Sequence, residues 1–156
     1  MPVEEADRLL TSAPESWISG LAHDAGGRGE QLLTEVGFGN RSRLDRSVAI
    51  ELDTPIRLDS KTILPLRWTA TQASRLFPRL DADLEVARLG PRLTQLAMSA
   101  RYEPPLGALG KAIDRALLHR VAEATLKDFL ERVAAVLLAE SALRSRVSDR
   151  GLASSG

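Results

Sequence analysis

The sequence predicts an α+β domain in which a curved antiparallel sheet is covered on one face by a long C-terminal helix. Four stretches, at about residues 43–53, 61–71, 79–86 and 93–102, alternate apolar and polar residues with a period of two, as half-buried strands do. The segment from about Leu106 to Ala142 contains many Ala, Leu, Arg and Glu residues and no proline, which favours one continuous helix. The strands follow one another too closely for crossover helices, so the sheet is expected to be antiparallel.

The N-terminal third contains the shorter elements. Residues 3–10 have helical propensity, although a neighbouring sheet could override it. The sequence Ser12-Ala13-Pro14-Glu15 is typical of a helix start, with Ser12 as N-cap, and predicts a short helix that ends near Gly20. Residues 30–36 are expected to add a further helical turn or two.

The strands are expected to present their even-numbered residues on one apolar face. Pro65 lacks an N–H group, which predicts that this residue lies at a sheet edge or at a bulge. Leu89-Gly90-Pro91 predicts a tight turn before the last strand. The predicted apolar face consists of Leu44, Val48, Ile50, Leu52, Leu64, Leu66, Trp68, Ala70, Leu80, Ala82, Leu84, Val86, Leu96, Met98, Ala100 and Tyr102.

The C-terminal segment has two apolar stripes at helical spacing, which predict the side that faces the sheet. The first contains Ile113, Leu117, Leu118, Val121 and Ala124, and the second contains Leu126, Phe129, Leu130, Val133, Val136 and Leu137. We place one domain at residues 1–142 and expect the small, polar residues 143–156 to form a disordered tail.

Composition excludes several classes of protein. The 21 Lys and Arg residues balance 21 Asp and Glu residues, so we predict no nucleic-acid partner. The absence of Cys excludes disulfides, thiolate metal sites and cysteine nucleophiles. No apolar run approaches the roughly 18 residues of a membrane span, and the first residues are acidic rather than basic. We therefore expect a cytoplasmic protein without membrane insertion.

Two early helices, a run of antiparallel strands and one closing helix resemble the START-like helix-grip superfamily, also called SRPBCC, and within it a polyketide-cyclase-like subgroup from actinobacteria. The resemblance covers about residues 1–138. It is carried by Leu66-Arg67-Trp68, Leu76-Phe77-Pro78, Asp81, Leu84, Thr94-Gln95-Leu96, Tyr102-Glu103-Pro104-Pro105-Leu106-Gly107, Asp114-Arg115 and His119-Arg120-Val121-Ala122.

This resemblance implies a helix-grip fold with a ligand cavity between the sheet and the long helix. It also implies that residues 3–10 form the first strand, against their propensity, and we adopt that strand. The chain offers about four strands between Arg41 and Tyr102, whereas larger members of the superfamily have six. A shorter sheet and a smaller cavity are therefore expected.

The candidate ligand-binding residues are those that such a cavity would contain. Inward-facing strand residues and the helix stripe would line it, although the same residues at strand period also fit a simple packed core. Three polar groups, those of Tyr102, Asp114 and Arg67, are expected to orient the ligand. The predicted site is Trp68, Met98, Tyr102, Asp114, Arg67, Leu117 and Val121.

Asp114 falls inside the first apolar stripe of the helix. A buried carboxylate is costly unless it is paired, so it either forms a structural ion pair, with Lys111 or Arg67, or contacts the ligand. Burial without a cation would raise its pKa and suit it to act as a base. Arg67 belongs to the solvated face by its numbering, but a bulge at Pro65 would turn it inward.

The two histidines give weaker signals. His119 falls on the charged side of the helix and is expected at the surface. His23 lies beside Asp24, which could orient its imidazole as a general base, although no serine nucleophile is related to it by spacing. Neither histidine has metal-ligand spacing, and the glycines at 26–29 do not match a phosphate-binding fingerprint. We predict no metal and no cofactor.

The predicted function is the binding of a small hydrophobic molecule, lipid or polyketide-like, in a cavity between the sheet and the helix. Apolar burial would supply affinity at about 25 cal/mol per Å². One alternative is a cyclase or aromatase-like enzyme, which needs at least two polar groups converging on one point. Another is an interaction module without a ligand, in which a helix face mediates homodimerisation.

Overall fold

The computed structural model describes residues 1–12, 14, 17–18, 20–25, 48–70, 79–103 and 115–153. Over these residues the chain is α+β, with a curved antiparallel sheet and a C-terminal helix, as predicted. The sheet has five strands, one more than the four predicted between Arg41 and Tyr102. Asp114 and the segments at 26–47, 71–78 and 104–114 lie outside the described residues.

The first element, α1, is a helix over Val3–Thr11, so the strand expected at residues 3–10 is wrong. Acidic residues Glu4 and Glu5 occupy its first turn, where their negative charges interact favourably with the positive end of the helix dipole. Its buried residues are Ala6, Leu9 and Leu10, which have the i, i+3, i+4 spacing of one helix face. Local propensity and this spacing therefore prevailed over the order of elements that the resemblance implies.

A second helix, α2, is described at residues 17–18 and 20–25. The carbonyl of Pro14 accepts a hydrogen bond from the N–H of Ile18 at 3.0 Å, which agrees with the predicted start. The helix does not end near Gly20, because Ala22 and Ala25 continue the buried side that begins at Ile18. Packing of these small buried residues stabilises the helix beyond the glycine.

The sheet has the strand order β1-β3-β4-β5, and β2 pairs with β3 beyond the end of β1. The predicted strands at 61–71, 79–86 and 93–102 correspond to β3, β4 and β5, and a turn at residues 91–92 joins the last two. The unpredicted strand β2 has only three residues, all of them exposed, so its apolar–polar alternation is too short to predict a strand. The strands are β1 Val48–Leu52, β2 Ile56–Leu58, β3 Lys61–Ala70, β4 Arg79–Gly90 and β5 Leu93–Glu103.

Pro65 lies in the central strand β3, so the expected edge or bulge position is wrong. Its carbonyl accepts a hydrogen bond from the N–H of Asp53 at 3.0 Å, in the interval between β1 and β2. On the other side the register continues without a shift through the pair Pro65↔Asp83. The proline is tolerated because its missing donor faces the interruption between the two outer strands.

The last helix, α3, is described over Arg115–Ala153. It does not end at Ala142, and the expected disordered tail is helical through Ala153. Residues 143–150 contain no glycine or proline that would stop the helix. Its deeply buried residues are Val121, Phe129, Val133 and Leu137, and no described side chain beyond Leu137 is buried.

The helices pack on the face of the sheet that carries the even-numbered residues, here called the inner face. In β3 the even-numbered residues from Thr62 to Trp68 are buried, and in β4 those from Leu80 to Val86 are buried. α1 crosses the end of the inner face near the β4–β5 turn, where Arg88 of β4 pairs with Glu4, and Arg57 of β2 lies 3.5 Å from Asp7. No described helix is both long and apolar enough to cross a membrane.

Candidate functional site

Trp68 lies where the sheet meets α3. The side chain is 7% exposed, and its ring contacts Phe129 edge to face, with centroids 5.6 Å apart and an interplanar angle of 62°. Such aromatic pairs add about 0.5–1.5 kcal/mol to the gain from burial. Direct packing of Trp68 against the helix means that this part of the inner face is filled by protein.

The inner face is less well covered along β5 than along β4. Leu80, Ala82, Leu84 and Val86 of β4 are all buried. Their neighbours on β5 become progressively more accessible, because Leu96 and Met98 are half-buried and Ala100 is exposed. These three β5 residues, here called the open margin, form an apolar strip on a strand that contacts both α3 and α1.

Thr125 brings a polar group into the sheet-facing side of α3. It lies one turn after Val121 and one turn before Phe129, both of which are buried. Its hydroxyl oxygen is inaccessible to solvent and, among the residues that the structure describes, has no hydrogen-bond partner. Because buried polar groups are nearly always hydrogen-bonded, this hydroxyl requires an explanation, and a ligand is one. The prediction missed Thr125, although a polar residue at i+4 between two apolar ones was a visible signal.

The second buried oxygen without a hydrogen bond belongs to Asp7 of α1. The other oxygen of that carboxylate lies 3.5 Å from Nε of Arg57. This pair connects α1 to β2, which is a structural role and accounts for the position of Asp7.

The remaining predicted inner-face residues are placed only in part. Val121 is buried, but it does not belong to the contiguous core cluster that contains Trp68 and Phe129. Tyr102 pairs with Leu80 in the β4–β5 register. Nothing further is described for the side chains of Tyr102 and Leu117, and Asp114 lies outside the described residues. The predicted convergence of polar groups therefore stays a prediction.

Arg67 lies on the opposite, outer face, and the continuous β3–β4 register shows that no bulge at Pro65 turns it inward. Its Nε donates to Asp81 at 3.1 Å and its Nη1 donates to Glu51 at 3.2 Å. Hydrogen bonds to Asp81 and then to Glu51 raise the pKa of the Arg67 guanidinium above its ordinary value. The role of Arg67 within the described residues is a cross-strand ion pair.

The outer face carries a groove of about 590 Å³ that crosses β1, β3, β4 and β5. That volume is within the range of small-molecule pockets. Its ionisable lining residues are Glu51, Asp53, Arg67, Asp81, Asp83 and Arg101. No sequence pattern signalled the groove, because it depends on which residues the register places side by side.

His23 and Asp24 do not form the pair expected of a general base among the described contacts. The Asp24 carboxylate instead lies 3.5 Å from Nη1 of Arg132, whose Nε donates to Asp128 at 2.6 Å. The hydrogen bond to Asp128 raises the pKa of Arg132. Asp24 therefore connects α2 to α3.

His119 is exposed, as predicted, and its Nε2 lies 3.2 Å from Glu123 one turn later. Over the ranges that the structure describes, no three His, Asp or Glu side chains are grouped as metal ligands.

Comparison with known proteins identifies no relative: no family model, curated protein or solved structure matches the chain.

Proposed function

We propose that the protein binds a small, largely apolar molecule between β5 and α3, in a helix-grip arrangement of the START-like type. The observation that carries the proposal is the buried, unpartnered hydroxyl of Thr125 on the sheet-facing side of α3. The open margin of β5 supplies apolar surface beside the same helix.

The chemistry of the two surfaces defines the ligand class. Leu96, Met98 and Ala100 offer only apolar contact, and each methylene of the ligand that they remove from water contributes about 0.8 kcal/mol. Thr125 supplies one hydroxyl, which donates or accepts a hydrogen bond worth about 0.5–1.5 kcal/mol. A hydrocarbon or fused-ring body with one carbonyl or hydroxyl group fits both surfaces, as in a lipid or a polyketide-like molecule.

Binding is favoured over the cyclase or aromatase alternative. Proton transfer needs two suitable groups near one point, whereas a threonine hydroxyl alone is neither a useful acid nor a useful base at neutral pH. Asp24, the carboxylate next to His23, pairs with Arg132.

The experiment combines native mass spectrometry of freshly purified protein with titration of the fluorescent apolar probe anilinonaphthalene sulfonate. We expect a co-purified small molecule and saturable probe binding at the open margin. The substitution Met98→Glu should reduce probe affinity at least about tenfold, because the carboxylate removes apolar contact and repels the sulfonate of the probe.

Gln95→Glu is the matched control, since it adds the same charge at an exposed residue of the same strand on the outer face. Equal probe affinity in the two variants, or the absence of any bound molecule and of saturable probe binding, would refute the proposal.

A further inference from the structure

The groove on the outer face has an excess of negative charge. Its lining contains four carboxylates, those of Glu51, Asp53, Asp81 and Asp83, and two guanidinium groups, those of Arg67 and Arg101. Arg67 is shared between Glu51 and Asp81 across the strands. The formal charge of the lining is therefore about −2 at neutral pH.

Asp53 and Asp83 stand on either side of Pro65. Asp83 is its register partner on β4, and the N–H of Asp53 donates to its carbonyl. Among the described residues, no ion pair involves Asp53 or Asp83. The excess negative charge is thus concentrated in the cross-strand row formed by Asp53, Pro65 and Asp83.

The distal part of α3 has the opposite charge. From Leu138 onward the described side chains are exposed apart from the half-buried Ser141, and residues 138–153 extend about 24 Å at the helical rise per residue. Residues 138–153 contain three arginines, one glutamate and one aspartate, a formal charge of about +1, and all three arginines lie in residues 143–153. Two leucines of this part are also exposed, Leu138 at 61% and Leu143 at 54%.

These two surfaces complement each other in charge, and the sheet separates them within one chain, because α3 packs on the inner face. We propose that the distal helix, residues 138–153, docks into the outer groove of a second copy of this chain. The contact is reciprocal, so that two copies form a symmetric dimer with two helix-in-groove contacts.

The dimensions are compatible with such a dimer. The groove crosses four strands, which span about 14 Å at the usual strand separation, and residues 144–150 span about 9 Å along the helix axis. If half the circumference of each distal helix is covered over the roughly 14 Å width of the groove, two helices and two grooves bury about 900 Å² in total. That area is below the roughly 1,200–2,000 Å² of stable protein interfaces and is typical of weak ones, so the dimer is expected to form only at high protein concentration.

The test uses the full chain in sedimentation velocity experiments from micromolar to near-millimolar concentration. The helix-reversed variant carries Arg144→Glu and Arg146→Glu, and the groove-reversed variant carries Asp53→Lys and Asp83→Lys. Each variant alone opposes like charges at both contacts, so its dimer should dissociate about a hundredfold more readily than that of the wild type. An equimolar mixture should restore the dimer, because both contacts of the mixed dimer then join opposite charges.

The matched control carries Arg120→Glu and Lys127→Glu, which makes the same charge change on exposed residues in the proximal half of α3. It should dimerise like the wild type. Far-ultraviolet circular dichroism reports whether each variant is folded, and the milder substitutions Arg146→Gln and Asp83→Asn replace any variant that is not.

Three outcomes would overturn the proposal: a monomeric wild type over the whole concentration range, dimers that neither charge reversal weakens, or a mixture that stays monomeric. Weakening by the groove reversal alone, without rescue, would also reject the second copy's helix as the occupant. Probe binding at the open margin is measured separately, so this result and the ligand proposal can fail independently.

Discussion

The Thr125 hydroxyl destabilises the ligand-free protein, because a buried hydroxyl without a partner has lost its hydrogen bonds to water. Thr125→Val keeps the shape of the side chain and removes that group. We expect the free energy of unfolding, measured in urea without ligand, to rise by about 1 kcal/mol. Affinity for a co-purified molecule should fall about two- to tenfold in the same variant.

Thr94 provides the control for Thr125. Its hydroxyl donates to the carbonyl of Met1 at 2.9 Å, so Thr94→Val loses a hydrogen bond and should lower the free energy of unfolding by about 1 kcal/mol. A Thr125→Val protein that is destabilised to the same extent would mean that its hydroxyl is hydrogen-bonded in solution.

Phe129 is the residue through which α3 contacts the sheet at Trp68. Its side chain is fully buried, so Phe129→Ala should lower the free energy of unfolding by about 3–5 kcal/mol through lost burial and a cavity. Leu138→Ala, on the exposed part of the same helix, should change it by less than about 0.5 kcal/mol. Chemical denaturation of the two variants tests this difference, and equal losses would contradict the described packing of α3.

At the scale of elements, we expect the attachment of α1 to depend on pH. A hydrogen bond to its own backbone and then one from Arg88 lower the pKa of Glu4. A carboxyl whose folded pKa is depressed stabilises the fold above its unfolded pKa of about 4.3, and loses that effect as the pH falls through the lower folded pKa. α1 should therefore loosen from the sheet at acidic pH before the sheet itself unfolds.

Amide chemical shifts of α1, followed from neutral pH to about pH 2, measure this loosening. Glu4→Gln should abolish the acidic step, whereas Glu5→Gln, which alters the other acid of the first turn, should retain it. An acidic transition that is unchanged in Glu4→Gln would show that another group controls α1.

The elements that the sequence predicted are those whose own side chains carry the pattern. β3, β4 and β5 alternate because one face is buried, and the same rule missed β2, which has no buried side. α1 was mispredicted because the implied element order overrode the helical spacing of Ala6, Leu9 and Leu10. The position of Pro65 was mispredicted because the break between β1 and β2 is a property of the neighbouring strands.

The candidate site was less predictable than the fold. Periodicity assigned Trp68 to the inner face of the sheet and Val121 to the sheet-facing stripe of the helix, and both are buried. Thr125 was missed because stripes were chosen from apolar residues alone. The outer groove depends on cross-strand rows such as Glu51, Arg67 and Asp81, and alternation within one strand does not specify the register between strands.

At the scale of the whole molecule, the buried core of α3 ends at Leu137. A chain truncated after Glu140 should therefore keep the free energy of unfolding of the full chain to within about 0.5 kcal/mol, while losing the dimer proposed above. Truncation after Arg132 is the comparison, because it also removes Val133 and Leu137, each worth about 1.5–3 kcal/mol of burial. Thermal and urea unfolding at low protein concentration distinguish the two truncated chains. A large loss of unfolding free energy in the chain that ends at Glu140 would contradict a core boundary at Leu137.

Pro65 also bears on the tendency of the chain to aggregate at high concentration. An N–H group at this position could donate a hydrogen bond to the residues between β1 and β2. Such a bond would favour a single long outer strand in place of β1 and β2. Long regular strands at a sheet margin are templates for amyloid-like growth, and interrupted ones are not. A single imino acid in the centre of the sheet would thus help to keep the β1–β2 edge from recruiting other chains.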